Sequence, residues 1–121
     1  MARILIVDDE KSIRKTLREI LEYESYTVDE AQDGQEALDK LKDDSYDVVL
    51  LDIKMPKMDG MEVLDRTKEA GIATNFVVIS AHGNIDIAVE AVKKGAFDFL
   101  QKPFDLGRLE ITLRNALDKT T

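Results

Sequence analysis

Short apolar runs recur along this chain, and most of them stop abruptly at a polar residue. Five runs predict β-strands, at residues 4–7, 27–31, 48–51, 75–79 and 96–100. An unbroken apolar run bounded by turn residues is typical of a strand buried on both faces of a parallel sheet. The run at 27–31 is weaker and carries charge, which favours a position near the edge of the sheet.

Between these runs, apolar residues recur at helical spacing with charged residues between them. Helices are predicted over 11–24 and 85–94, after helix-start patterns at Asp33 and Asp59, and along an apolar stripe comprising Leu106, Leu109, Leu113, Ala116 and Leu117. Gly71 and Gly95 fit the positions just after helix ends. The order is therefore strand–helix repeated five times, which predicts one α/β domain over 1–121 with a parallel sheet and helices on both faces.

Polar residues follow four of the strand runs directly: Asp8 and Asp9, then Asp52, Ser80 and, after Gln101, Lys102. In a parallel sheet these strand ends meet at one edge, where sites are usually built. Each residue alone is explained as well by a helix cap or a solvated loop charge, and for Asp9 or Ser80 that explanation is favoured. Their shared position makes chance the weaker explanation for the set.

Three carboxylates, a hydroxyl and an ammonium form a recognisable chemical set. Clustered carboxylates repel one another unless a cation neutralises them, and oxygen ligands suit a hard ion, here Mg²⁺. A carboxylate beside Mg²⁺ and a lysine can act as a nucleophile towards a phosphoryl group. Mg²⁺, Lys102, Ser80 and backbone N–H groups could then stabilise the charge of the transition state.

Composition narrows the function classes. The formal net charge of −8 disfavours direct binding of nucleic acid by this segment, and the chain has no cysteine for disulfides or thiolate sites. No apolar run approaches the roughly 20 residues of a membrane span, so neither a transmembrane helix nor a signal peptide is predicted. These features fit a cytoplasmic protein.

Four motifs together resemble the receiver domains of two-component response regulators: ILIVDDE at 4–10, VLLDIKMPKMDG at 49–60, Ser80-Ala81-His82-Gly83 and GAFDFLQKPF at 95–104. The last two resemble the nitrogen-regulator-type receivers of sigma-54 activators. The resemblance implies a flavodoxin-like sheet with strand order 2-1-3-4-5. A chemotaxis receiver is a known example of this fold.

The resemblance also implies a role for each site residue. Asp52 would accept the phosphoryl group, and Asp9, Asp52 and the Lys54 backbone carbonyl would bind Mg²⁺, with Asp8 acting mainly through water. Lys102 would pair with the phosphoryl oxygens, before a cis bond to Pro103. Ser80 and an inward-turning Phe99 would form the switch, and the domain would catalyse only its own phosphorylation and dephosphorylation.

Some positions depart from common family choices. Phe99 stands where many relatives have tyrosine. It has no hydroxyl group, so only the packing of its ring can change when the domain switches. Lys54 and His82 occupy variable positions that tune the lifetime of the phosphoryl group. A solvated loop histidine is the favoured interpretation of His82.

The expected partners are a sensor histidine kinase, an output domain or downstream protein, and a second copy through the face of helix 4, strand 5 and helix 5. Helix 85–94 has more apolar positions than one buried stripe needs, which predicts either complete cover within the fold or a docking patch.

Three other classes compete with this function. An enzyme of the aspartyl-phosphatase type is expected to have a second aspartate at the position of Lys54. A nucleotide-binding module is expected to have a glycine-rich loop after the first strand, where Asp8 stands. A docking module that is never phosphorylated would not need the complete set of site residues.

Overall fold

The computed structural model describes residues 2–81, 85–103 and 105–119. Within these residues, five strands alternate with five helices. The strands are β1 (Arg3–Val7), β2 (Thr27–Ala31), β3 (Val48–Asp52), β4 (Asn75–Ser80) and β5 (Asp98–Gln101). The helices are α1 (Lys11–Tyr23), α2 (Gly34–Asp43), α3 (Gly60–Glu69), α4 (Ile85–Lys93) and α5 (Leu106–Lys119).

The strands form one parallel sheet in the order β2-β1-β3-β4-β5. This confirms the predicted α/β fold and strand order. It also confirms that the charged strand β2 lies at an edge, while β3, which is apolar from Val48 to Leu51, is central. Because all five strands run in the same direction, every strand end faces one side of the molecule, which we call the carboxyl edge.

The two faces of the sheet support two separate cores. Alternate residues of β3 point to opposite faces, so that Val49 and Leu51 join one apolar cluster while Val48 and Leu50 join the other. Helices α2, α3 and α4 cover the first cluster, and α1 and α5 cover the second. Burial on both faces explains why β3 is an unbroken apolar run.

Local signals set most helix boundaries where the sequence predicts them. The Asp33 and Asp59 carboxylates accept hydrogen bonds from the third backbone N–H of α2 and α3, at 2.8 and 2.9 Å. Gly71 and Gly95 follow helix ends with φ of 71° and 104°, the left-handed region that glycine adopts without strain.

The structure corrects two details of the sequence-based prediction. Strand β5 begins at Asp98, because the Ala96 N–H still bonds the Ala91 carbonyl oxygen at the end of α4 and only the following residues reach β4. Leu106 does not join the buried stripe of α5, because it stands at the first position of the helix and is half exposed.

None of the helices in the described ranges is both long and apolar enough to cross a membrane.

Candidate functional site

The carboxyl edge gathers the polar residues that follow the strands. Asp52 is the last residue of β3, and Ser80 is the last residue of β4. Asp8 follows β1 directly, and Lys102 follows β5. Asp8 and Asp52 are only 3% and 6% exposed, and Ser80 is buried as well. The edge therefore holds two carboxylates away from bulk water.

Lys102 connects the ends of three strands. Its ammonium Nζ lies 3.0 Å from the Asp8 Oδ2 and 3.6 Å from the Asp52 Oδ1. Its backbone N–H donates to the Ser80 carbonyl oxygen at 2.8 Å, which extends the β4–β5 pairing into the loop. The peptide bond from Lys102 to Pro103 is cis, as the resemblance implies.

The carboxylate of Asp52 is the one whose ionised form is disfavoured here. Burial raises the pKa of Asp52 to about 6, and repulsion from Asp8 adds to the effect while Lys102 opposes it. Burial also opposes the charge of Lys102, but the hydrogen bond to Asp8 and the attraction of Asp52 outweigh it, so the pKa of Lys102 is raised. One ammonium therefore does not fully compensate the two buried carboxylates.

Asp8, Asp9 and Glu10 bring carboxylate oxygens within 4.8 Å of one another, the one such acidic group among the described residues. Asp8 is buried, and the other two side chains are exposed. Oxygen donors without imidazole or thiolate fit a hard divalent cation. Asp52 lies outside this triad but interacts electrostatically with Asp8 and Asp9.

The turn after β3 is packed closely against Asp52. The Gly60 N–H donates to the Ile53 carbonyl oxygen at 2.8 Å, and a Cβ at Gly60 would lie only 2.5 Å from the Asp52 carbonyl oxygen. The start of α3 can therefore approach the end of β3 only because residue 60 has no side chain. Lys54 lies in this turn with its side chain exposed.

The predicted switch residues lie on neighbouring strands. Phe99 pairs in register with Val78 and is half buried against the cluster that contains Val78 and Ala91. Ser80 lies two residues after Val78, at the carboxyl edge. His82, with Gly83 and Asn84, lies outside the described residues, and so does Phe104.

Sequence reasoning missed two residues at this edge. Glu10 joins the acidic triad, and its position directly after Asp9 was an available signal. Arg14 is one of the charged residues between the apolar positions of α1, and its Nη1 donates to the Asp8 carbonyl oxygen at 2.6 Å. Its spacing of six residues from Asp8 places it one helical turn into α1, facing back towards the loop.

The apolar surplus of α4 is exposed. Ile85 is 80% exposed, and Val89 and Val92 are about half exposed on the same helix. On α5, Ile111 is exposed to a similar extent. Of the two predicted explanations, cover within the fold therefore fails for these residues, and an exposed patch remains.

Comparison with known proteins agrees with the geometry. The response regulator receiver domain family matches residues 4–114. The response regulator MprA of Mycolicibacterium vanbaalenii is 40% identical over 119 residues, covering 98% of this chain and 52% of its own length. This chain thus spans about half the length of the curated relatives it matches.

Two solved structures illustrate the similarity of fold. The receiver domain of the Francisella response regulator 1452 superposes with a TM-score of 0.95 at 30% identity, covering all of both chains. The beryllofluoride-activated NtrC4 receiver domain dimer, solved in solution, gives a TM-score of 0.93 at 42% identity, again covering all of both chains. Both the match to the family over most of the chain and these two structures support one conclusion: the chain belongs to the receiver domain family of two-component response regulators, a family of phosphoacceptor signalling domains.

Proposed function

We propose that Asp52 is the phosphoacceptor of this receiver domain, which we take to extend over 1–121, and that it receives its phosphoryl group from a sensor histidine kinase. The observation that carries the proposal is the position of Asp52, a buried carboxylate at the carboxyl edge with the Lys102 ammonium 3.6 Å away. Its raised pKa marks a carboxylate whose charge lacks full compensation, as is common at functional sites.

In the transfer step, an Asp52 carboxylate oxygen attacks the phosphorus atom and forms a new P–O bond. The bond from phosphorus to the donor breaks, and its electron pair leaves with the donor, which is a phosphohistidine nitrogen or the carboxylate of an acyl phosphate. Lys102 is placed to attract the phosphoryl oxygens, since its Nζ already lies near Asp52. The Ser80 hydroxyl and backbone N–H groups of the loops would donate to the same oxygens.

A divalent cation, which we take to be Mg²⁺, fits the oxygen donors of Asp8, Asp9 and Asp52, and the Lys54 carbonyl would complete the protein ligands. When bound, it supplies positive charge that offsets the carboxylates and the transferring phosphoryl group. Glu10 belongs to the same acidic triad and adds negative charge at its exposed side. With the cation present, the domain would promote its own phosphorylation and then the hydrolysis of the phosphoryl group from Asp52. It would not turn over another substrate.

Phosphorylation would act on a switch formed by Ser80 and Phe99. The Ser80 hydroxyl moves towards the phosphoryl group, and the half-buried ring of Phe99 packs into the space behind it. β5 packs against α4, and the Thr112 hydroxyl of α5 lies 3.5 Å from the Asp98 Oδ2 of β5. This repacking would therefore change the face that carries Ile85, Val89, Val92 and Ile111.

The partners follow from that face and from the relatives. The chain covers about half of MprA, so an output domain or downstream protein that controls transcription is the expected target, in the cytoplasm and without nucleic-acid contact by this segment. The similarity to the NtrC4 receiver dimer supports a nitrogen-regulator-type receiver that forms pairs. The exposed apolar residues of α4 and α5 favour the face of α4, β5 and α5 for that pairing. An Ile111→Asp variant should then lose phosphorylation-dependent association in sedimentation, and unchanged association would remove this face from the proposal.

The proposal is tested by incubating the protein with Mg²⁺ and acetyl phosphate and measuring intact mass. Wild-type protein should gain one phosphoryl group, and Asp52→Asn should gain none. Asp59→Asn is the matched control, because asparagine also caps helices and Asp59 lies beyond the site at the start of α3. A phosphoryl gain that persists in Asp52→Asn would contradict the assignment.

A further inference from the structure

Arg14 makes a bridge between strand β2 and the acidic loop after β1. Its Nη1 donates to the Asp8 carbonyl oxygen at 2.6 Å, and its Nε donates to the Glu30 Oε1 at 3.1 Å. The Arg14 side chain is only 12% exposed. A mostly buried, planar guanidinium with two partners in different elements holds them at a fixed separation.

Arg14 completes the restraint of Asp8, which is held at every polar group. The Asp8 N–H donates to the Ala31 carbonyl oxygen at 3.2 Å. Its Oδ1 accepts from the Glu10 N–H at 2.9 Å, and its Oδ2 accepts from Lys102 at 3.0 Å. The carbonyl oxygen is the remaining group, and the guanidinium of Arg14 bonds it.

This carbonyl belongs to the peptide unit that joins Asp8 to Asp9. Fixing its direction fixes the plane of that peptide, and therefore the direction in which the chain enters Asp9. The exposed Asp9 side chain has no such restraint of its own among the hydrogen bonds of the described residues. Its carboxylate can approach a cation repeatedly in one geometry only if the backbone before it is held.

Glu30 is anchored in turn by a second arginine. Arg18 donates from Nη1 to the Glu30 Oε2 at 2.7 Å, so each carboxylate oxygen binds one guanidinium. The hydrogen bond from Arg18, assisted by that from Arg14 and opposed by burial, lowers the pKa of Glu30. Arg14 bonds Glu30 directly at Oε1, so Glu30 directs Arg14 towards the loop through a contact in which Arg18 takes no part. Arg18 itself has no hydrogen bond to Asp8 among those of the described residues.

We propose that Arg14, held by Glu30, is a positioning residue for the cation site: it orients the Asp8–Asp9 peptide so that Asp9 can bind the divalent cation. The inference rests on the proposed function, since it concerns the cation that assists phosphorylation of Asp52. It assigns to α1 and β2 a part in that site, although neither element supplies a ligand.

Charge and position predict opposite signs for the effect of removing Arg14. The Arg14 guanidinium is positively charged and lies close to the acidic triad. Loss of its charge alone would therefore strengthen the binding of the divalent cation there. Loss of orientation would weaken that binding, because the ligand must be ordered when the cation binds. Residues that orient metal ligands typically contribute about 10- to 100-fold to affinity.

The experiment is a Mg²⁺ titration of the whole 121-residue chain, followed by the backbone amide NMR signals of residues 8–10. Arg14→Met keeps the length and helix propensity of the side chain and should raise the Kd for Mg²⁺ roughly tenfold. Arg18→Met is the matched control, because it removes an equal charge from the same Glu30 without touching Asp8, and its Kd should stay within about twofold of wild type.

A second readout needs no metal. In Mg²⁺-free buffer, amide hydrogen exchange at Asp9 and Glu10 should be faster in Arg14→Met than in Arg18→Met. At saturating Mg²⁺, Arg14→Met should reach the wild-type extent of phosphorylation, since a positioning role shifts the Mg²⁺ midpoint and leaves the nucleophile intact. If Arg14→Met does not fold, Arg14→Lys takes its place, because lysine keeps the charge but cannot span both partners.

A Kd for Mg²⁺ at or below the wild-type value in the folded Arg14 variant would overturn the inference. Asp9→Asn separates this failure from failure of the proposed function. Loss of Mg²⁺ binding in Asp9→Asn with normal binding in the Arg14 variant would reject only the role of Arg14. Normal Mg²⁺ binding in Asp9→Asn would show that Asp9 is not a ligand, which rejects the cation site as proposed.

Discussion

The two edges of the sheet carry similar side chains, but the pKa of an aspartate is raised at one edge and lowered at the other. At the carboxyl edge, Asp8 and Asp52 share the single ammonium of Lys102. At the opposite edge, where the strands begin, Arg3 pairs with Asp29 at 3.1 Å and with Asp44 at 3.4 Å. Each edge thus combines two carboxylates with one basic side chain.

At this opposite edge, which we call the amino edge, Asp29 accepts from two side-chain donors. The Tyr46 hydroxyl donates to the Asp29 Oδ2 at 2.7 Å, and the Arg3 guanidinium also lies 4.8 Å from the Tyr46 ring centroid. The hydrogen bond from Tyr46, together with Arg3 and against burial, lowers the pKa of Asp29. The Arg3 N–H donates to Asp47 at 2.8 Å. These acids are satisfied, and they join β1, β2 and the segment before β3.

At the carboxyl edge Asp8 and Asp52 are more deeply buried, and Lys102 is the one basic group near Asp52 among the described residues. Burial raises the pKa of Asp52 to about 6. The difference shows that the presence of several acidic residues does not by itself make a functional site. Burial and the number of donors decide whether a carboxylate stabilises the fold or retains unused capacity for a cation and a phosphoryl group.

Replacing the basic residue at each edge should give the largest contrast. Lys102→Met should slow phosphorylation by acetyl phosphate by about 100-fold, because it removes a donor to the transferring phosphoryl group. Arg3→Met removes the cation of the other edge and should leave the rate within about twofold while lowering the melting temperature. Equal rates for the two variants, measured by intact mass over time, would contradict the assignment of Lys102.

Adding a Cβ at Gly60 should distinguish the effect of close packing at the carboxyl edge on stability from the effect of helix propensity. Gly60→Ala places a Cβ against the Asp52 carbonyl oxygen and should lower the free energy of unfolding by about 3 kcal/mol, measured by urea denaturation. Gly107→Ala is the control, since its Cβ meets only the Asp105 side chain at 3.4 Å and alanine favours a helix by about 1 kcal/mol. A neutral Gly60→Ala would show that α3 can move away without cost.

Neutralising Asp52 should stabilise the fold in a pH-dependent way. The folded-state pKa of about 6 lies above the unfolded value of 3.8, so the native protein holds this proton more tightly. The wild type therefore loses stability from this group as the pH rises through 6, and the variant does not. In Mg²⁺-free buffer, Asp52→Asn should be about 2 kcal/mol more stable than wild type at pH 8.

That advantage should shrink as the pH falls from 6 and approach zero below the unfolded pKa of 3.8, where Asp52 is protonated in both states. Urea denaturation at several pH values measures it. A constant difference across this range would mean that the stabilisation has another origin than the charge of Asp52.

The smallest effect is expected from the amino edge. Tyr46→Phe removes one hydrogen bond to Asp29 and should lower the free energy of unfolding by about 1 kcal/mol. The pKa of Asp29 should rise towards its ordinary value, and phosphorylation should be unchanged. A marked loss of phosphorylation in this variant would show that the two edges are coupled, contrary to the comparison.

The fold was largely predictable from the sequence because its strands are buried on both faces. The runs at 4–7 and 48–51 allow few alternatives, and the capping carboxylates Asp33 and Asp59 mark helix starts by local chemistry. The start of β5 was less predictable, because Ala96 and Phe97 suit a strand or a buried loop equally. The exposure of Leu106 likewise depends on where α5 begins against its neighbours.

The site was predictable only as a set of positions. Parallel strands bring Asp8, Asp52, Ser80 and Lys102 to one edge whatever their side-chain geometry. The sequence does not show that Lys102 lies closer to Asp8 than to Asp52. The contacts of Arg14 are equally hidden, because they depend on how α1 lies on β2. The paired acids of the amino edge resemble those of the site in sequence, and only geometry tells them apart.

The most direct test of this account is an NMR titration of the aspartate side-chain carboxyl carbons, with and without Mg²⁺. Without Mg²⁺, Asp52 should titrate near pH 6, and Asp29 should titrate below its ordinary range. Saturating Mg²⁺ should lower the pKa of Asp52 by at least about one unit and leave Asp29 unchanged, because a cation at the carboxyl edge compensates only that carboxylate. An Asp52 that titrates near pH 4 without Mg²⁺, or that does not respond to it, would contradict the claim that this edge is built for a cation and a phosphoryl group.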